Sequence, residues 1–224
     1  MQGMASPMEQ EREAVAAAGR RLAAGGLVVG TSGNLSVRTG EQVAVSPTGA
    51  VLAELEAADV AVVGLDGAHH DGPFAATSEL GLHLGIYARY RSGAVVHTHA
   101  PVATALGLVL DELPCVHYEM LGLGGAVRVA PYATFGSPEL AAGVLDALAD
   151  RGAALMANHG AVSHGPTLDA ALAATELLEW TCALYWRAAA IGAPRTLAPA
   201  QLDAVADTIA ASAYGSTRPA DTAR

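Results

Sequence analysis

The chain has 224 residues, 52% of them hydrophobic, and its formal net charge at pH 7 is −10. This length suits one domain with a substantial core, so we expect residues 1–224 to form a single domain with a flexible tail after about residue 215. Because no run of basic residues offsets the acidic charge, the composition argues against a DNA or RNA partner. An anionic substrate would have to be held locally, by backbone N–H groups, hydroxyls or a metal ion.

The chain contains only two cysteines, Cys115 and Cys182. They are far apart and have no CxxC partner, so the sequence indicates neither a disulfide framework nor a thiolate zinc site. The first residues lack the basic and apolar regions of a signal peptide, and no apolar stretch approaches the roughly 20 residues of a membrane helix. We therefore expect a cytoplasmic protein with no membrane partner.

The predicted elements begin with a helix and a hairpin. A capping box at Ser6, with proline at the first helical position, opens an amphipathic helix that ends at Ala24 before two glycines. Two strand-like runs, residues 35–38 and 42–46, flank a Thr-Gly turn. The loop before them, GTSGN, is rich in small and polar residues.

A helix that carries a glutamate is predicted beside a strand that carries two histidines. The helix covers residues 77–91, with its cap among the hydroxyl residues at its start, and the strand covers residues 94–99. Before them, residues 59–64 predict another strand. His69 and His70, in the turn-rich connection that follows it, are interpreted as solvated loop residues.

The second half of the chain alternates strands and helices. The predicted elements are a helix after Pro101, a strand at residues 127–130, a helix opened by Ser137, a buried strand at residues 153–157, a helix at residues 167–190 and a last helix after Pro194. No internal repeat or long linker divides the chain. This order predicts an α/β fold in which helices cover both faces of a mixed central sheet.

The segment AVVHTHA carries the sharpest local signal for a metal site. Residues two apart in a strand point to the same face, so His97 and His99 would project side by side with Cα atoms about 6.6 Å apart. Two imidazoles at this spacing can converge on one ion. The alternative is a pair of histidines satisfied by neighbours at a sheet edge.

The segment MANHGAV adds a third histidine at the end of a buried strand. The sharp turn Asn158-His159-Gly160 would place His159 where a strand end meets a cavity, although a turn residue with a backbone hydrogen bond would look the same. Three histidines with an open coordination position are what a catalytic zinc needs. His83, four residues after Glu79 on the same helix face, is expected near the site but not as a ligand.

Seven motifs follow one another along nearly the whole chain: GTSGNLSVR, SPTG, TSE, AVVHTHA, HYE, APYATFG and NHG. In this order they resemble the class II aldolase and adducin family, most closely its members that cleave L-fuculose 1-phosphate. The resemblance implies a zinc-dependent aldehyde-lyase of carbohydrate metabolism that splits a ketose 1-phosphate reversibly into dihydroxyacetone phosphate and a small aldehyde. It also implies a homotetramer with active sites between subunits.

The resemblance also assigns roles to single residues. His97, His99 and His159 would hold one zinc ion per subunit. Glu79 would be the catalytic acid and base, and would occupy the metal when substrate is absent. Tyr118, from a neighbouring subunit, would donate a proton.

Two further sets of residues would contact the substrate. The positions that match phosphate-binding residues of the family are Thr31, Ser32, Gly33, Asn34, Thr48, Gly49, Thr77 and Ser78. Phe135 and Tyr214 would line the site. Because the tail after Tyr214 diverges from the family, contacts beyond it are not carried over.

The residue types agree with metal-assisted cleavage of a carbon–carbon bond. The chain contains no lysine, so a lysine-imine mechanism is excluded by composition. Neither lysine nor arginine occurs in GTSGN, SPTG or TSE, so neutral donors must hold the phosphate.

Proteins with other functions share the same motifs. Sugar-phosphate 4-epimerases, dehydratases and decarboxylases of this fold keep the zinc histidines and the phosphate loop. Glu79, HYE and APYATFG favour the aldolase, for which a 5-deoxypentulose 1-phosphate is the alternative substrate. A non-enzymatic adducin-like scaffold is disfavoured, because such domains lose the ligands that this chain keeps.

Overall fold

The computed structural model describes residues 8–212, and these residues are organised around one nine-stranded sheet. Its strands are β1 Asn34–Thr39, β2 Gln42–Val45, β3 Ala61–Gly64, β4 His69–Asp71, β5 Ala94–Thr98, β6 Glu112–Leu113, β7 Val127–Ala130, β8 Ala153–Met156 and β9 Gly160–Gly165. In the sheet they lie in the order β4-β3-β2-β1-β5-β9-β8-β7-β6. Neighbours are antiparallel apart from the parallel pair β7 and β8, so the predicted mixed sheet is confirmed.

Helices cover both faces of this sheet, as the sequence predicts. They are α1 Glu9–Ala24, α2 Leu80–Arg89, α3 Pro101–Gly107, α4 Pro138–Ala147, α5 Leu168–Ala189 and α6 Pro199–Ala211. Helices α1, α3 and α5 pack against one face, and α2 and α4 pack against the other. Among the helices of the described segment, none combines the length and apolar character needed to cross a bilayer.

Strand β5 shows how the sequence builds two cores at once. Because side chains alternate along a strand, Ala94 and Val96 enter the core under α1, α3 and α5, while Val95 enters the core under α2 and α4. All three are fully buried. The next residue on the side of Val95 is His97, so the alternation directs this histidine toward α2.

The short edge strand β6 was not predicted, and two further differences from the prediction affect the sheet. Strand β9 was not predicted, because a short run with glycine at each end lacks the pattern of a strand, yet it pairs with β5 and β8 near the centre of the sheet. The interpretation of His69 and His70 as loop residues was wrong, since both lie in edge strand β4, although both are exposed.

The helix that carries Glu79 begins later than predicted. Its first residue is Leu80, and Glu79 occupies the N-cap position, so the carboxylate stands before the helix rather than within its first turn. The predicted cap at Ser6 and the predicted tail, including Tyr214, lie outside the described residues.

The core packing predicts the cost of a cavity. Leu155 in β8 is fully buried, so we expect Leu155→Ala to lower the free energy of unfolding by about 2–5 kcal/mol in urea denaturation. Val109→Ala is the control, because Val109 is 75% exposed and truncation there should cost less than about 0.5 kcal/mol. Equal losses for the two variants would contradict the assignment of this core.

Candidate active site and metal centre

Two chain segments bring three histidines together. His97 lies near the end of β5, and His99 follows that strand by one residue. His159 lies in the turn between β8 and β9, and β9 pairs directly with β5. A side chain at Gly160 would place its Cβ only 2.3 Å from the carbonyl oxygen of Thr98, so glycine allows this close approach. Asn158 has a φ of 54°, a left-handed conformation that asparagine tolerates better than most residues.

The three imidazoles converge on one point. Each of the three rings lies about 5 Å from the other two, with centroid distances of 4.9, 4.9 and 5.0 Å. Their ligating nitrogens all lie within 4.8 Å of one another. The geometry is that of a three-histidine site with room for a further ligand.

The hydrogen bonds of His97 fit a cation at this point. Its Nδ1 lies 3.0 Å from the carbonyl oxygen of Ala161, to which it must donate, so a neutral His97 presents a lone pair at Nε2. This Nε2 faces the Nε2 of His99 at 3.1 Å and a carboxylate oxygen of Glu79 at 3.1 Å. Lone pairs so close together need a proton or a cation between them, and a metal ion satisfies all three groups.

The carboxylate of Glu79 completes the cluster. It is 6% exposed, and its Oε2 accepts a hydrogen bond of 3.0 Å from the amide of Asn34. Its Oε1 lies 3.6 Å from Nε2 of His159 and is buried with no hydrogen-bond partner among the described residues. A buried carboxylate oxygen without a donor is suited to contact a metal ion or to take a proton from a ligand.

Burial and neighbouring groups shift the pKa values of the cluster. Burial raises the pKa of Glu79, but a proton shared with His97, through its hydrogen bond and its positive charge, outweighs burial together with the hydrogen bond from Asn34 and holds this pKa well below its ordinary value. Burial, followed by the charge of the other histidines, lowers the pKa of His99 to about 4, and burial also lowers the pKa of His159. Both imidazoles are therefore neutral at pH 7, as metal ligands must be.

A cavity of about 290 Å³ opens above the cluster. Its lining includes Glu79, His99, His159 and every residue matched to phosphate binding: Thr31, Ser32, Gly33, Asn34, Thr48, Gly49, Thr77 and Ser78. Side-chain hydroxyls and backbone N–H groups of this kind can enclose a phosphate without a basic residue. The structure thus gathers five separate parts of the sequence around one space: residues 31–34, 48–49, 77–79, 99 and 159.

Of the three aromatic residues predicted at the site, the structure places one in the lining of the cavity. Phe135 lines the cavity and is 67% exposed, and Tyr132, which the sequence analysis did not select although it lies in the same APYATFG motif, lines it too at 66%. Within the described part of the chain, Tyr118 lies outside this lining, in a helical turn that packs against α5. Tyr214 lies beyond the described residues.

Three buried polar residues beneath Glu79 were not assigned a role by the sequence analysis. Nε2 of His83 lies 2.6 Å from Oδ1 of Asn34, and its Nδ1 lies 2.7 Å from Oγ of Ser36. The same Oγ lies 2.7 Å from the hydroxyl of Tyr87. In the sequence, only the spacing of His83 from Glu79 could have indicated this series of hydrogen bonds, because Ser36 belongs to strand β1, which is distant in sequence.

Comparison with known proteins bears on this site. The model of the Class II Aldolase and Adducin N-terminal domain family matches residues 13–186. The 5-deoxy-D-ribulose 1-phosphate aldolase of Bacillus thuringiensis serovar kurstaki is 37% identical over 203 residues, which cover 89% of this chain and 95% of that protein. A 5-methylthioribulose-1-phosphate/5-deoxyribulose-1-phosphate aldolase of Rhodospirillum rubrum is 38% identical over 84% of this chain and 86% of that protein.

This chain belongs to the class II aldolase and adducin family. A solved structure of an L-fuculose 1-phosphate aldolase superposes with a TM-score of 0.86 at 31% identity, covering 94% of this chain and all of that one. The predicted family and fold are therefore confirmed, and the chain is a class II aldolase.

The histidine cluster predicts how metal binding depends on single residues. We expect His97→Ala to reduce the metal content of the purified protein to near zero, because the site then loses one of the three imidazoles that converge on the ion. Elemental analysis after dialysis measures this, with circular dichroism to confirm folding. His70→Ala is the control, since His70 is exposed on edge strand β4. A His97→Ala protein that keeps its metal would refute the site.

Proposed function

We propose that the protein is a zinc-dependent aldolase that reversibly cleaves a ketose 1-phosphate into dihydroxyacetone phosphate and a small aldehyde. The observation that carries the proposal is the convergence of three histidines and Glu79 at the base of a cavity lined by hydroxyl and glycine residues. The donor set supports zinc, because three neutral imidazoles suit a borderline metal better than magnesium or calcium. Two buried, unpaired cysteines agree with a reducing cytoplasm.

The roles of the residues are clearest in the synthesis direction, in which dihydroxyacetone phosphate adds to the aldehyde. The phosphate of dihydroxyacetone phosphate lies against the hydroxyl and glycine lining, which directs its carbonyl end toward the histidines. A zinc ion bound there would act as a Lewis acid on that carbonyl. Glu79, held as a carboxylate by its low pKa, takes the proton from C3. The oxygen available for this step is Oε1, because Oε2 already accepts a hydrogen bond from Asn34.

The carbon–carbon bond then forms between C3 and the aldehyde carbon, and the aldehyde oxygen must gain a proton. Within the described residues the cavity of one subunit does not include Tyr118. We assign this proton to Tyr118 of a neighbouring subunit in a homotetramer, as the family resemblance implies. In cleavage each proton moves the opposite way, so no net proton is consumed.

The two candidate substrates differ from each other by one carbon and one hydroxyl. L-Fuculose 1-phosphate would yield a three-carbon hydroxyaldehyde, and 5-deoxyribulose 1-phosphate would yield acetaldehyde. Both curated relatives described above carry 5-deoxyribulose 1-phosphate in their names, whereas the solved structure is named for L-fuculose 1-phosphate. We therefore expect activity on both compounds and a higher kcat/KM with 5-deoxyribulose 1-phosphate.

Zinc-loaded protein should release dihydroxyacetone phosphate from either compound, and a chelator should abolish the release.

Glu79→Gln should keep the zinc and lose at least about 100-fold in kcat, because the amide cannot accept the proton at C3. A coupled dehydrogenase assay follows the product. No release by zinc-loaded protein would favour the epimerase, dehydratase or decarboxylase reactions of the same fold, while a fully active Glu79→Gln would refute the role of Glu79.

Shared active sites predict complementation between two inactive variants. Glu79→Gln and Tyr118→Phe should each have low activity, and refolding them together should restore about a quarter of the wild-type sites, those with Glu79 and Tyr118 from different intact copies. The control is each variant refolded alone. If the mixture is no more active than the mean of the two, Glu79 and Tyr118 do not meet across an interface.

A further inference from the structure

A line of buried polar side chains runs from Glu79 away from the cavity and into the core between β1 and α2. It passes through Asn34, His83 and Ser36 to Tyr87, with successive contacts of 3.0, 2.6, 2.7 and 2.7 Å. His83 and Ser36 are fully buried, and Tyr87 is 3% exposed. Burying so many polar groups is costly unless every one of them is paired.

The chemistry of the groups fixes the direction of these hydrogen bonds. Burial lowers the pKa of His83 to about 3, so its imidazole is neutral and has one donor and one acceptor nitrogen. The amide of Asn34 donates to the carboxylate of Glu79 through Nδ2 and must accept from His83 through Oδ1. Nε2 of His83 therefore donates, and Nδ1 accepts from Ser36.

His83 and Glu79 together fix which way the amide of Asn34 faces. If the amide turned over, its oxygen would point at the carboxylate of Glu79, and two acceptors would meet. A donor at Nε2 of His83 excludes this orientation, because it requires an oxygen opposite it. The carboxylate of Glu79 selects the NH2 end of the amide, and His83 anchors the oxygen end, so together they keep the amide hydrogen on Oε2 of Glu79.

We propose that His83 is a positioning residue for the reaction: it orients the amide of Asn34 and thereby holds the carboxylate of Glu79, with Ser36 and Tyr87 fixing the imidazole from behind. This inference rests on the proposed function, in which Glu79 moves the proton at C3. It predicts that loss of the donor at position 83 impairs proton transfer without impairing substrate binding or the metal.

Three variants separate positioning from general support of the core. His83→Leu removes the donor and keeps a large apolar side chain. His83→Gln restores a donor toward Asn34 and an acceptor toward Ser36. His164→Leu is the matched control, because His164 contacts Oγ of Ser92 at 2.7 Å and the carbonyl oxygen of Arg151 at 3.0 Å in the same Ser-His-acceptor arrangement, outside the lining of the active-site cavity.

The readouts are kcat and KM for cleavage, zinc content, and the rate at which the enzyme exchanges the C3 hydrogen of dihydroxyacetone phosphate for deuterium without aldehyde. We expect His83→Leu to lower kcat and the exchange rate together, by about 10- to 100-fold, with KM and zinc content close to wild type. His83→Gln should recover most of the loss, and His164→Leu should keep the wild-type kcat. If His83→Leu does not fold, Ser36→Ala should show the same pattern more weakly.

The proposal is overturned if kcat per bound zinc is unchanged in His83→Leu, or if His83→Gln recovers nothing. A separate test needs no catalysis. In metal-free protein, the Tm decreases of the single variants His83→Leu and Glu79→Leu are summed and compared with the Tm decrease of the double variant. The sum should be the larger, because the two side chains are coupled through Asn34. Additive shifts would contradict the coupling. Wild-type protein that shows neither cleavage nor exchange would instead refute the proposed function, whatever the Tm shifts.

Discussion

A nearly buried carboxylate at the end of a sheet is the constraint on which the site depends. Glu79 is 6% exposed, and a carboxylate removed from water is stable only with donors or cations around it. Asn34 donates a hydrogen bond to Oε2, and Nε2 of His97 lies 3.1 Å from the same oxygen, where a proton or a cation between them completes the pairing. The other oxygen, Oε1, is left without a hydrogen bond in the described structure, which gives this group an electrostatic demand that a metal ion or a proton can satisfy.

The position of Glu79 follows from where its helix begins. As the N-cap of α2 it stands over the end of β5, and the antiparallel pairing of β5 with β1 brings Asn34 directly opposite His97. A glutamate one turn further into the helix would point along the helix surface instead. The predicted helix over residues 77–91 would have included Glu79 in its first turn. An error of two or three residues at a helix boundary therefore changes the direction in which this carboxylate is expected to point.

Most elements and the three histidines could be predicted from the sequence, because long periodic segments and the HxH spacing are local signals. Strand β9 could not, since its place in the sheet comes from pairing with β5 and β8 rather than from its own residues. The same applies to the contact between Ser36 and His83, which are 47 residues apart. Tyr118 remains a prediction from family resemblance, because its expected partner belongs to another subunit.

The glycine-rich loop has a structural role besides the phosphate binding proposed for it. Gly33 has a φ of 83°, and a Cβ there would lie 2.7 Å from Cγ1 of Val28 and 3.0 Å from the carbonyl oxygen of His97. The loop can therefore pack directly on the strand that carries the histidines only because this residue is glycine. This contact fixes the distance between the lining proposed to bind phosphate and the histidine cluster. With neither lysine nor arginine among the residues that line the cavity, the proposed specificity for a 1-phosphate beside a carbonyl rests on that fixed distance.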